Sequence, residues 1–200
     1  QWNFGLEQTE IKTDWVLALD ADFVLSVELV KELEALRPEP GVNGYQAAFT
    51  YCIAGKALRC AVYPPVVVLY RQARARYEQD GHTQRIQMSG RVENLAGVVF
   101  HDDRKPLAHW LAAQARYMRL EARKLAGTPA EQLGWADRLR QLIVLAPPAM
   151  LFYCLVVRGG ILDGKAGLFY ALQRTVAEAI LSLYLLQRKL GLGVEPESRG

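Results

Sequence analysis

The feature that most restricts this 200-residue chain is the run Trp-Val-Leu-Ala-Leu at 15–19, apolar throughout, set between polar flanks and followed at once by Asp20-Ala21-Asp22. A segment apolar on both faces needs cover on both, which predicts a buried strand of the parallel kind inside a layered α/β domain. It also sets two carboxylates at the strand's carboxyl end, where open α/β sheets take their ligands. Ser26 is then placed to cap a helix, with Glu28 in its first turn, Leu29, Leu33 and Leu36 on one face, and Arg37-Pro38 as the stop.

From Gly44 onward the pattern shifts to short segments rich in aromatic and β-branched residues, at 45–51, 58–63 and 66–70, separated by Gly55 and Pro64-Pro65. These predict sheet, some of it antiparallel. Shorter strands are expected at 85–88 and 98–100, the latter running into His101-Asp102-Asp103. A long amphipathic helix follows from Pro106 to Gly127, with Asp102 or Asp103 as its cap and Leu107, Trp110, Leu111, Gln114, Met118, Glu121, Ala122 and Leu125 along its buried face.

Beyond it the chain is helical and apolar. Residues 142–157 carry no charge but hold Pro147-Pro148, and residues 168–190 repeat leucine and aromatics around Arg174 and Glu178. A membrane span needs about 20 predominantly apolar residues. Neither stretch supplies that unbroken, so a peripheral or re-entrant contact is expected, with Arg158, Lys165, Arg174, Arg188 and Lys189 against anionic headgroups. A helical subdomain packed on the sheet is the alternative. Residues 1–104 thus form a sheet-bearing domain and residues 105–200 a helical extension.

Twenty-four basic against 21 acidic residues leave a net charge of only +3, which calls for no nucleic-acid partner. Locally, Arg71, Arg74 and Arg76 gather in a way that suits a diphosphate, an anionic lipid surface or simply a solvated face. Cys52, Cys60 and Cys154 form no C-x-x-C pair and leave an odd thiol, against a disulfide framework or a zinc site and in favour of a reducing compartment. No signal-peptide pattern opens the sequence, since Glu7, Glu10, Lys12 and Asp14 interrupt it. Phosphate-loop, dinucleotide-fold and serine-hydrolase fingerprints are likewise missing.

Two carboxylates one residue apart in a turn can hold a hard divalent cation through oxygen, and such a cation neutralises a diphosphate leaving group. Asp20 and Asp22 meet that description, with capping or solvation of Asp22 as the alternative. His82, in the turn-like Asp80-Gly81-His82-Thr83, is placed to act as a base or to contact an acceptor hydroxyl, or is a loop histidine without a task. His101 is placed to bind metal or phosphate, or to bond Asp102 or Asp103; His109, beside Trp110, fits a surface or packing role.

Together these residues resemble the family 2 glycosyltransferases, in particular the branch of lipopolysaccharide core biosynthesis. The likeness runs from residues 15–22 as strand and D-x-D motif, through Gly44-Tyr45, Gly55, Leu58-Arg59 and Tyr63-Pro64 as acceptor-side strands and Gly81-His82 as the histidine-acid step. It continues through Gly97 to His101, Trp110-Leu111, Tyr117, Glu121-Ala122, and Ile161-Leu162-Asp163-Gly164 with Gly167 as the turn into the last helix. The resemblance implies a GT-A-like mixed sheet, present in part because the family's N-terminal βαβ segments would precede Gln1, followed by a helical membrane-associating region. It implies transfer of a sugar, with inversion, from a nucleotide-sugar donor to a cell-surface glycan or lipid-linked acceptor, at the inner face of a bacterial membrane. Asp22 would ligate Mg²⁺ or Mn²⁺, Asp20 would contact the ribose or the metal through water, and His82, with Asp80 behind it, would serve as base. Phe23 and Thr83 stand where the family often carries acids. A noncatalytic membrane-associated binding module derived from that fold is the competing reading.

Overall fold

A computed structural model of the chain describes residues 2–81 and 83–192. It is mixed α/β and divides into two compact units, one of residues 1–79 and 84–104, the other of residues 80–83 and 105–200.

The first unit is built on a mixed sheet of six strands. These are β1 (Trp15–Leu17), β2 (Phe23–Leu25), β3 (Val42–Ile53), β4 (Lys56–Ala57), β5 (Val66–Arg71) and β8 (Arg91–Asp102). Their order is β1-β5-β3-β8-β2, with β4 folded back on β3. Only β3 and β8 run parallel; the other neighbours are antiparallel. Strands β6 (Ala75–Asp80) and β7 (Thr83–Met88) form a separate pair. One helix, α1 (Trp2–Gln8), is pinned by Asn3, whose side-chain amide exchanges two 2.8 Å hydrogen bonds with the backbone of Tyr77 as a strand neighbour would.

The helix expected after Ser26 is present as α2 (Val27–Ala35), and the Ser26 hydroxyl accepts from the Leu29 N–H at 3.1 Å. It packs on β8 at a bulge. Between the pairs Gln46–Asn94 and Ala48–Val98, β3 advances by two residues and β8 by four. Such a bulge leaves N–H groups off the ladder. Those of Ala96 and Gly97 donate to the Glu32 carboxylate at 2.9–3.0 Å. Gly97 has no room for a side chain, because a Cβ there would overlap the Leu29 backbone. Leu29, Val42, Ala47, Val68 and Val99 lie between helix and sheet as the core.

Two expectations are corrected here. The 15–19 run is neither parallel nor fully buried: β1 ends the sheet, pairs antiparallel with β5 alone, and leaves Leu17 exposed. An apolar run reports burial demand but not the direction of its neighbours. Residues 58–63 are not a strand, although Leu58, Cys60 and Ala61 are buried. Pro64-Pro65 lack the N–H groups a ladder needs, so the segment packs as irregular chain.

The second unit is helical: α3 (Leu107–Gly127), α4 (Trp135–Gln141), α5 (Ala146–Phe152) and α6 (Gly164–Lys189). Met118, Ala122 and Leu125 of α3 meet Ala177, Leu181 and Leu185 of α6 in its core. Neither Asp102 nor Asp103 caps α3; Pro106 opens it with no side-chain cap, and Asp102 bonds Arg104 instead. On the expected face of α3, Trp110, Met118, Glu121, Ala122 and Leu125 are buried, whereas Leu107 and Leu111 are exposed. Helix α5 continues through a π turn, Tyr153–Val157, and a 3₁₀ turn, Gly160–Asp163, into α6, with a 70° bend. Among the described residues no single helix is long and apolar enough to cross a membrane.

Candidate functional site

The acid pair sits in the tight connection from β1 to β2, closed by a 3.1 Å bond from the Phe23 N–H to the Asp20 carbonyl. Asp20 is exposed and Asp22 half-buried. Because β2 pairs with the end of β8, Phe23 lies opposite His101, and the Asp22 carboxylate reaches the ring at 3.3 Å from Nε2.

His101 is enclosed by rings. Phe23, Tyr51 and Tyr63 each meet it edge-to-face, with centroids 4.9–5.8 Å away, and Tyr63 stacks in turn on Phe49. Its Nδ1 is buried with no hydrogen-bond partner. A bare lone pair in that surrounding costs less than an unpaired N–H, which puts the proton on Nε2. The ring then donates to Asp22 and holds one of its oxygens in place. Next to it, Asp102 accepts from Arg104 at 2.7 Å through Oδ2, while Oδ1 is buried and unpartnered. Cys52 lies across from Asp102, and burial first, then the Asp102 charge, pushes its thiol pKa up. It is poorly suited to act as a nucleophile.

Asp20 faces a different neighbour. Its charge acts on Tyr77, whose hydroxyl lies 3.2 Å from that of Tyr70. Burial, the Tyr70 hydroxyl and Asp20 together drive the Tyr77 phenol well above its ordinary range. Among the expected basic cluster, Arg71 sits over the Trp15 ring at 4.6 Å, a cation–π contact, rather than reaching out for a phosphate. An open groove of about 390 Å³ is lined by Asn3, Leu6, Glu7, Gln72, Ala73, Ala75 and Arg76, and neither Asp20 nor Asp22 contributes to it.

The expected base region belongs to the second unit. There Asp80 is ion-paired with Lys124 of α3 at 2.6 Å. Gly81 turns with a positive φ of 60°, and a side chain at that position would meet the carboxylate of buried Glu121. Taking a proton from a hydroxyl would oblige Asp80 to loosen its hold on Lys124. His82 lies outside the described residues.

The cation implied by D-x-D can be tested against these side chains. Among the described residues no three His, Cys, Asp or Glu groups converge as a ligand set. The described residues thus form no closed protein cage of the structural zinc kind. Asp22, held by a histidine, could offer Mg²⁺ or Mn²⁺ one of the one or two protein carboxylates such ions take, the shell being completed by water and substrate phosphate. Asp20, whose charge acts on Tyr77, would have to turn to add a second. Asp22 stood out from its place after an apolar run; its contact with His101 did not, since 79 residues separate them.

No protein-family model matches the chain, no curated protein matches it, and no solved structure matches it. The likeness to family 2 glycosyltransferases therefore stands on the residues themselves.

Proposed function

We propose that the chain is the acceptor-side part of a GT-A-type, family 2 glycosyltransferase, working at the cytoplasmic face of a bacterial membrane on a glycan or lipid-linked acceptor of the lipopolysaccharide kind. The observation that carries this reading is the Asp22 carboxylate, held by His101 in the turn that follows β1. Asp22, with Asp20, would hold Mg²⁺ or Mn²⁺, and a cation bound there neutralises the diphosphate that leaves from the nucleotide sugar. In the reaction the acceptor oxygen bonds to the anomeric carbon as the carbon–oxygen bond to the diphosphate breaks. The electron pair departs with the nucleoside diphosphate, and the hydroxyl proton passes to a base. His82 or Asp80 is the assigned base, with Asp80 released from Lys124. Inversion follows from a single displacement. The apolar helices of the second unit are assigned to membrane association, which keeps a lipid-linked acceptor close.

The test is calorimetric titration of the chain, and of any longer native form, with uridine and guanosine diphosphate, with and without Mn²⁺. Binding that needs Mn²⁺ and is lost in Asp22→Asn supports the reading. Nucleotide binding indifferent to both, or none in either form, removes the enzymatic assignment and leaves a noncatalytic module.

A further inference from the structure

Residues 142–192 contain five basic side chains, Arg158, Lys165, Arg174, Arg188 and Lys189, and two acidic ones, Asp163 and Glu178. Both acids are buried, each only 3% exposed. The surface of this stretch thus presents cations with no carboxylate among them. At the bend between α5 and α6, Phe152, Val156, Val157, Ile161, Leu162 and Leu168 all stand in solvent, Leu162 at 71% exposure. Soluble surfaces scatter such residues; a cluster of large apolar side chains marks a surface meant to be covered.

Part of the backbone of the bend is hydrogen-bonded within the bend itself. In hydrocarbon each open N–H costs several kcal/mol, so irregular turns are normally excluded from it. Here the N–H groups of Arg158, Gly159 and Leu162 donate to Tyr153, Val156 and Gly159, and that of Gly164 donates to Ile161. Gly159 and Gly164 make this possible, with φ of 72° and 62°.

We propose that this bend enters one leaflet of an anionic bilayer, with Val156, Val157, Ile161 and Leu162 in the acyl boundary and Arg158 and Lys165 on the lipid phosphates. The inference rests on the membrane half of the reading above and adds the segment that inserts and its depth. Helices broken by a 70° bend fit a broken span or a re-entrant loop, and entry into a single leaflet is the second of these. A second copy related by a two-fold axis would cover the same side chains by setting cation against cation. Among the described residues of this stretch the exposed charges are all basic, which favours an anionic partner.

The experiment is flotation of the full chain with vesicles of phosphatidylcholine alone and of phosphatidylcholine with phosphatidylglycerol, alongside Ile161→Ser/Leu162→Ser and Arg158→Ala/Lys165→Ala. A Leu162→Cys form carrying an environment-sensitive dye reports depth. The expected result is binding that needs phosphatidylglycerol and falls about tenfold or more in each double variant, with the dye shielded from aqueous quencher. Binding that survives Ile161→Ser/Leu162→Ser with a water-accessible dye overturns this inference and leaves the membrane reading standing. Equal binding to both vesicles overturns the headgroup assignment. No binding to either vesicle ends both, as does a dimer in solution that Ile161→Ser/Leu162→Ser dissolves.

Discussion

Replacing Glu178 by leucine should be among the most damaging single changes in the helical unit. Glu178 lies in α6 at 4% side-chain exposure and takes the Arg140 guanidinium at 2.8 Å, with Nε at 3.1–3.2 Å from the same carboxylate. Burial alone would lower the Arg140 pKa, but Glu178 and then Asp137 outweigh it and hold it above its ordinary value. Breaking a buried pair from one side costs about 3–5 kcal/mol, because the remaining charge keeps its burial and loses its partner. The low end applies here: Asp137 still bonds Arg140 at 3.0 Å and the arginine side chain is 23% exposed. A loss of about 3 kcal/mol corresponds to roughly 100-fold less protection from hydrogen exchange. Peptide-resolved exchange over α4 and α6 is the assay, since it reads this unit without assuming that the whole chain unfolds in one step. Arg140→Met/Glu178→Leu should restore protection to within about 1 kcal/mol of the parent, as apolar replacement of both partners often does. Less than about 1 kcal/mol lost in the single variant, or no recovery in the double, would refute an unpaired buried charge as the cause.

At the acid pair, His101→Ala should weaken Mn²⁺ binding about 10–100-fold, the range for losing a group that orients a ligand. His101→Gln, which can present an N–H to Asp22, should recover much of it in the same titration; equal loss in both would count against positioning. Gly97→Ala should cost about 1–3 kcal/mol by overpacking α2 against β8, read as a lower melting temperature. Tyr70 and Tyr77 have pKa values raised by burial, so the folded chain keeps their protons where the unfolded chain loses them. Stability is complete below about pH 10 and falls as pH rises past it, so phenolate absorbance from these two should appear only with unfolding.

Helices were far more legible than sheet contacts. Ser26 with Leu29, Leu33 and Leu36, and the stripe from Trp110 to Leu125, announce α2 and much of the buried face of α3, because helical periodicity and caps are written within a few residues. Strand partnership is not local. Nothing within residues 15–19 says that β5 will lie antiparallel beside them, and nothing near Glu32 announces a bulge at residues 95–97. Strand β6 escaped notice because Ala75–Asp80 is largely polar, as befits one of a separate two-stranded pair. The D-x-D turn was legible as a turn after an apolar run, whereas the contacts of Asp22 with His101 in the first unit, and of Asp80 with Lys124 in the second, join residues distant in sequence.

The buried carboxylates of the helical unit are not explained by stability. A buried ion pair seldom outperforms apolar residues of similar volume, so Arg140 and Glu178 are expendable as a pair on energetic grounds. Their burial does have a consequence for the surface: with Glu178 and Asp163 turned inward, the apolar bend is flanked by cations alone. Folding and docking can therefore be separated. Arg140→Met/Glu178→Leu removes one charge of each sign, the acid fully buried and the base mostly so, and leaves Arg158, Lys165, Ile161 and Leu162 as they were. Its binding to phosphatidylglycerol vesicles should stay within about twofold of the parent even if its stability shifts. Ile161→Ser/Leu162→Ser should do the reverse, holding its exchange protection and losing the membrane. If both variants moved both readouts together, the bend would be acting through the packing of the unit instead of through its own side chains.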